Sequence, residues 1–202
     1  MMKSALYLSC CTVLLSSFLP IRELSLELGA PVPQANVACM DVSGKEISLQ
    51  TAKGPNGLLV VFAGNRCPYM IRNQERLRRA CAFAQQNNIG VALVNSNEAT
   101  RNDGESLSMM KAYASQQQLP GYYLLDKNAL LADAFDANHT PECFLFDKHN
   151  KLVYKGGIDD NPGNADAVKV PLLQNALNEM LAGKSVTTAA SGSLGCNIKR
   201  KL

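Results

Sequence analysis

The segment Leu58-Leu-Val-Val-Phe-Ala-Gly-Asn-Arg-Cys-Pro-Tyr69 joins an apolar run to a Cys-Pro pair. Six apolar residues in a row, Leu58 to Ala63, suit a strand buried on both faces of a sheet. Gly64-Asn65-Arg66 breaks that strand, and Pro68 sits where the first turn of a helix tolerates proline. From Tyr69 to Gln86 apolar residues (Met70, Ile71, Leu77, Cys81, Ala84) alternate with polar ones at helical spacing. Cys67 is thus predicted at a strand-to-helix junction. The free N–H groups and dipole of a helix start stabilise a thiolate there, and Arg66 adds a positive neighbour in sequence. A packing cysteine would more often sit inside a strand or a helix.

Working outward, Asn36–Asp41 reads as a strand, with Glu46–Leu49 as its hairpin partner. Ile89–Val94 is a second buried strand, Glu105–Gln117 a helix, Tyr122–Leu125 a short strand and Ala129–Phe135 a short helix. Cys143–Phe146 and Leu152–Lys155 flank a polar turn and form a hairpin. The helix Ala167–Leu181 follows, with Gly183 just past its end. This order predicts an α/β fold with a mixed central sheet flanked by helices and an N-terminal β-hairpin extension. Residues 28–184 form the one predicted domain, and no repeat is visible. Residues 185–202 read as a mobile, Ser/Thr/Ala/Gly-rich tail carrying Cys196.

Composition narrows the function. The chain has 202 residues, 47% hydrophobic and 18% charged, which is globular and large enough for a real core. A net charge of +3, with one short basic run at Lys199-Arg200-Lys201, argues against nucleic acid. The two histidines, His139 and His149, form no ligand spacing, so no metal and no cofactor are expected. Residues 1–20 carry Lys3 and then a fifteen-residue apolar run from Ala5 to Leu19. That is short for a membrane span and fits a signal peptide or an N-terminal anchor. The alternatives are a buried helix, or lipidation at Cys10 or Cys11, although the apolar run before Cys10 is short for that. Export implies a secreted or periplasmic protein, touching membrane only through an uncleaved N terminus. It would leave five cysteines, Cys39, Cys67, Cys81, Cys143 and Cys196, an odd number.

Several segments now combine. Phe62-Ala-Gly-Asn-Arg-Cys-Pro-Tyr69 resembles the strand–Cys–Pro turn of the thioredoxin superfamily, and Thr140-Pro141 resembles its Thr–cis-Pro element. The fuller set is similar to a redoxin subgroup related to the AhpC/TSA families. It comprises Asn65-Arg66-Cys67-Pro68-Tyr69, Thr140-Pro141 with Phe144-Leu145-Phe146-Asp147, Gly156-Gly157-Ile158-Asp159-Asp160, and Gly195-Cys196-Asn197-Ile198-Lys199. The resemblance spans about residues 28–201. It implies a thioredoxin fold and a thiol oxidoreductase or peroxiredoxin-like antioxidant, with Cys67 as nucleophile. Thr140, Pro141 and Arg66 would lie around it, and Cys196 would be the second thiol. A cis Pro141 would set the Thr140 backbone beside the sulfur, ready to bond an extended peptide. Implied partners are a thiol/disulfide protein or a small peroxide, and an external thiol reductant.

There are departures. Arg66 replaces the subgroup's usual His, Met70 stands where thioredoxin has its second Cys, and Gly64 replaces the Thr or Ser that positions peroxide in peroxiredoxins. The alternative is therefore a non-catalytic thioredoxin-fold binding module, and a further one is a peroxidase without a resolving cysteine. Cys39 and Cys81 read as core, and Cys143 as a buried filler close to the active face. Cys81 lies fourteen residues along the same helix from Cys67, about 21 Å of rise, too far for a disulfide. Asp159-Asp160 reads as a turn cap more readily than as an acid–base pair. Tyr69 is expected either to hydrogen-bond near the sulfur or to pack.

Overall fold

The computed structural model describes residues 26–201. The segment 1–20, with its signal-peptide reading and Cys10 and Cys11, lies outside the described residues. Strands are β1 Cys39–Asp41, β2 Glu46–Ile47, β3 Gly57–Phe62, β4 Ile89–Asn95, β5 Tyr122–Leu125, β6 His139–Thr140, β7 Glu142–Asp147, β8 Leu152–Gly156 and β9 Cys196–Asn197. Helices are α1 Leu49–Ala52, α2 Pro68–Gln86, α3 Leu107–Gln116, α4 Leu130–Phe135 and α5 Leu172–Leu181.

Two ladders build the central sheet. One runs β2-β1-β5-β4 and the other β3-β7-β8. They meet where β3 lies beside β4, and Ala63 N–H donates to Val94 O at 2.8 Å. β4 and β5 are parallel, whereas β1/β5, β3/β7 and β7/β8 are antiparallel, so the sheet is mixed. This is the architecture of the thioredoxin fold, as expected. The N-terminal hairpin joins the sheet through β1, with Met40 opposite Leu125.

β3 shows why an unbroken apolar run was required. Its residues alternate between two cores, as the period of two in a strand dictates. Leu59, Val61 and Ala63 pack with Met70, Leu77 and Cys81 of α2 and Leu173 and Leu177 of α5. Leu58, Val60 and Phe62 face the other way, towards Leu49, Leu131 and Phe135. There Phe62, Phe135, Phe144 and Phe146 meet edge to face, with centroids 5.2–5.9 Å apart. Such contacts contribute roughly 0.5–1.5 kcal/mol each beyond burial.

Several boundaries differ from the sequence reading, and β1 begins at Cys39 and not at Asn36. The hairpin partner stops at Ile47, because Ser48 caps a short helix and its Oγ accepts Thr51 N–H at 3.1 Å. The last helix begins at Leu172 and not at Ala167. Pro171 has no N–H to continue a helix, and Lys169 N–H is taken instead by Asp160 Oδ1 at 3.0 Å. The helix α3 starts at Leu107, with the Ser106 hydroxyl as its cap. Elsewhere the tail is not loose. Lys155 N–H bonds Ala189 O, Ser191 N–H bonds Lys155 O, and β9 pairs with β6.

Candidate functional site

β3 delivers the chain to a tight turn, and α2 carries it away. Cys67 is the residue that caps α2, with Pro68 at the first helical position. The residue is only 5% exposed, and it lies in the wall of a cavity of about 360 Å³. Its sulfur makes no capping bond to the helix. The thiol Sγ–H instead donates to the Thr140 carbonyl at 2.9 Å. The expectation that helix amides hold the Cys67 sulfur is corrected on this point.

Cys196 stands beside it. All five described cysteines are free thiols, and Cys196 lines the same cavity as Cys67. Burial first, and then the neighbouring Cys67, push the Cys196 thiol up to about 11. Two opposing influences are weaker. The backbone N–H of Tyr69, in the first turn of α2, and the Lys199 charge both favour its thiolate.

β9 is what brings Cys196 there. It runs antiparallel to β6, with Thr140 opposite Cys196 and His139 opposite Asn197. The Thr140–Pro141 peptide bond is cis. Thr140 faces the cavity and its carbonyl meets the Cys67 thiol, while Pro141 lines a separate cavity of about 310 Å³ with Asn73, Ile158 and Asp159. Of the residues singled out in the sequence, Cys67, Cys196, Thr140 and Arg66 therefore share one cavity, and Pro141 lies next door. Arg66 is at the rim. Its guanidinium, 61% exposed, is held by Asp103 at 2.6 Å, an exposed pair contributing at most about 1 kcal/mol.

A buried polar ring that no motif announces holds the 64–66 turn in place. Glu105, expected as an ordinary helix residue, is buried and precedes α3. Its Oε2 accepts Asn65 N–H at 3.0 Å and Asn95 Nδ2 at 2.6 Å, and its Oε1 accepts Arg66 N–H at 3.2 Å. Asn95 Nδ2 also donates to Tyr123 Oη at 2.9 Å, and that hydroxyl donates to Asn65 Oδ1 at 2.8 Å. The ring of bonds closes on itself. Burial raises the Tyr123 phenol well above its usual range and keeps it a donor. Arg101 locks the periphery, with Nη1 donating to Asn95 Oδ1 at 2.8 Å and to Glu105 O at 3.0 Å. Asn95, a polar residue at the end of an apolar strand run, was the one available signal.

The other cysteines are core. Cys81 and Cys143 are fully buried, and Cys39 nearly so. Burial alone raises Cys81 to about 12, and burial followed by the Asp126 charge raises Cys39 to about 11. Asp159 is no acid–base partner of Asp160. Its Oδ2 binds Arg76 Nε at 2.8 Å with only 2% of its side chain exposed, and its Oδ1 accepts Asn161 N–H. Tyr69 packs against the core, with the Arg72 guanidinium 5.7 Å above its ring. No metal-holding cluster occurs among the described residues.

The Redoxin family matches residues 27–170 of this chain. The chain belongs to the Redoxin family. This Redoxin is also similar to two solved structures along nearly their whole length. One is an uncharacterized conserved protein from Geobacillus kaustophilus, 31% identical, with 87% of this chain and 93% of that one covered at a TM-score of 0.80. Another is a hypothetical protein from Sinorhizobium meliloti, 33% identical, with 88% and 97% covered at 0.79. The thioredoxin domain of a Bacteroides vulgatus thiol-disulfide oxidoreductase shares the fold at 19% identity, with 65% and 89% covered and a TM-score of 0.53. No curated protein matches. Family and fold together support a thioredoxin-like redox function for this Redoxin.

Proposed function

We propose that this Redoxin is a thiol-dependent oxidoreductase in which Cys67 is the nucleophile and Cys196 the resolving thiol. The observation that carries the reading is that two free thiols, Cys67 at the start of α2 and Cys196 on β9, share the wall of one open cavity. Met70 occupies the position where a C-x-x-C motif would supply its second sulfur, and Cys196 supplies one from β9.

Cys67 as thiolate attacks a disulfide sulfur or a peroxide oxygen. A disulfide gives a mixed disulfide and one departing thiolate. A hydroperoxide gives a sulfenic acid, with the alkoxide or hydroxide leaving as an alcohol or water after protonation. Cys196, on losing its proton, attacks the Cys67 sulfur and expels the second thiolate or hydroxide. A Cys67–Cys196 disulfide results, and an external thiol pair reduces it. Thr140 positions Cys67 through its carbonyl, and Arg66 adds positive charge at the rim. The motif set from Asn65 to Lys199 supports assignment to the redoxin subgroup with an Asn-His-Cys-Pro-type site. The apolar segment 5–19 supports export, with residues 1–20 as signal or anchor. Among the described residues no helix is long and apolar enough to cross a membrane.

Turnover of hydrogen peroxide and of a low-molecular-weight disulfide by Cys67→Ser and Cys196→Ser variants tests this. Cys67→Ser is expected to abolish turnover, and Cys196→Ser to leave an adduct or sulfenic acid on Cys67. Full turnover by Cys67→Ser would refute Cys67 as the nucleophile, and no turnover by the parent chain would leave the binding-module reading in its place.

A further inference from the structure

We propose that β9 occupies, within the chain itself, the backbone edge at which a polypeptide disulfide would dock. The site then takes small two-electron oxidants, low-molecular-weight disulfides or hydroperoxides, and excludes disulfides carried on extended chains. The inference rests on the redox reading of Cys67 and narrows its substrate class.

An extended polypeptide brings a disulfide to a buried sulfur most readily by adding a strand to an unpaired edge beside it. The edge beside Cys67 is β6, whose Thr140 carbonyl accepts the Cys67 thiol. That edge is taken by β9 in regular antiparallel register, Thr140 against Cys196 and His139 against Asn197. The approach is as close as backbone allows. A Cβ on Gly195 would lie 2.4 Å from Thr140 O and 3.2 Å from Thr140 N.

Bonds along its length keep the strand down. Ile198 is buried, and its N–H donates to Asn138 O at 2.9 Å. Lys199 N–H donates to Asn97 Oδ1 at 3.0 Å, and Ala99 N–H to Lys199 O at 2.8 Å. Arg200 binds Asp133 Oδ1 at 2.7 Å and Ala137 O at 2.7 Å. What remains open to Cys67 is the cavity of about 360 Å³ between Arg66, Asn97, Thr100 and Lys199, a size suited to a small molecule.

With a small disulfide R–S–S–R, Cys67 thiolate forms Cys67–S–S–R and releases RS⁻. Cys196 thiolate then forms the Cys67–Cys196 bond and releases the second RS⁻, so two electrons pass from two protein thiols to the oxidant. The strand that blocks the long substrate is the one that carries the resolving sulfur.

The test compares oxidation of the reduced full chain by hydrogen peroxide, by oxidised glutathione and by insulin, with the Cys67–Cys196 disulfide quantified by mass spectrometry. The parent is expected to oxidise with both small reagents. Gly195→Ala, which must lift β9 from Thr140, is expected to raise the insulin-to-glutathione rate ratio at least about tenfold. A chain ending at Ser193 is expected to raise the corresponding ratio for first adducts on Cys67 likewise. An insulin rate in the parent equal to that with oxidised glutathione, or an unchanged ratio in both variants, overturns the proposal. Failure of Cys67 to oxidise with any of the three reagents would instead overturn the redox reading beneath it.

Discussion

Replacing Glu105 by Gln tests the polar ring that fixes the active turn. The change keeps shape and removes charge. An amide oxygen in the Oε2 position still accepts from Asn65 N–H and Asn95 Nδ2, but both bonds lose their charge assistance. Bonds to charged groups contribute about 1.5–3 kcal/mol and neutral ones about 0.5–1.5, so roughly 1 kcal/mol is lost at each. The amide NH2 in the Oε1 position confronts Arg66 N–H, donor against donor, and strands a buried group at a cost of about 1–3 kcal/mol. A neutral amide is cheaper to bury than a carboxylate, which recovers about 1–2 kcal/mol. The net expectation is a destabilisation of about 2 kcal/mol, or a fall in Tm of about 4–8 °C for a domain of this size. Urea unfolding of the reduced protein, with m unchanged, measures it. Glu105→Ala, which orphans all three donors, is expected to cost more, about 3–5 kcal/mol. A Glu105→Gln protein within about 0.5 kcal/mol of the parent would refute the claim that this carboxylate holds the turn.

Further predictions concern charge and thiols. Arg76→Met leaves the Asp159 carboxylate buried without its cation and is expected to destabilise by about 3–5 kcal/mol in urea unfolding. Cys196, raised to about 11 in part by Cys67, is expected to alkylate faster at pH 8–9 in Cys67→Ala than in the parent, which a pH series of labelling with mass detection reads out. Cys39 and Cys81 hold their protons to about 11 and about 12 when folded, against 9.0 for an ordinary thiol. The folded state therefore binds more protons above pH 9. Their contribution is full below pH 9 and is lost between pH 9 and about 11–12, with a slope approaching 1.4 kcal/mol per pH unit for each thiol. Urea midpoints measured across that window check it, and the slope is expected to shrink in Cys81→Ala.

The fold was legible because its central signals are local. An apolar run, a break, Cys-Pro and a helical pattern could only be β3 followed by α2, and the alternating strands and helices then fixed the layers. The misreadings also have local causes. Pro171 starts α5, although the apolar spacing continues back to Val170, and a single capping Ser48 turned a strand end into α1. The site was half legible. Cys67 declares itself by position, and Thr140 and Cys196 by the motifs around them. The Glu105 ring draws on four separate segments, the 65–66 turn, Asn95, Glu105 and Tyr123, so no spacing reveals it. The closing tail misled because Ser and Gly read as mobile, whereas Gly195 is there to let one backbone lie against another.

If Cys67 and Cys196 are one redox pair, mild oxidation joins them to each other. Reduced protein treated with one equivalent of hydrogen peroxide and then mapped by non-reducing peptide mass spectrometry is expected to show a single Cys67–Cys196 disulfide, with Cys39, Cys81 and Cys143 still free. Oxidation of Cys67 to sulfinic acid while Cys196 stays reduced, or a disulfide that joins Cys67 to any other cysteine, would contradict the pairing.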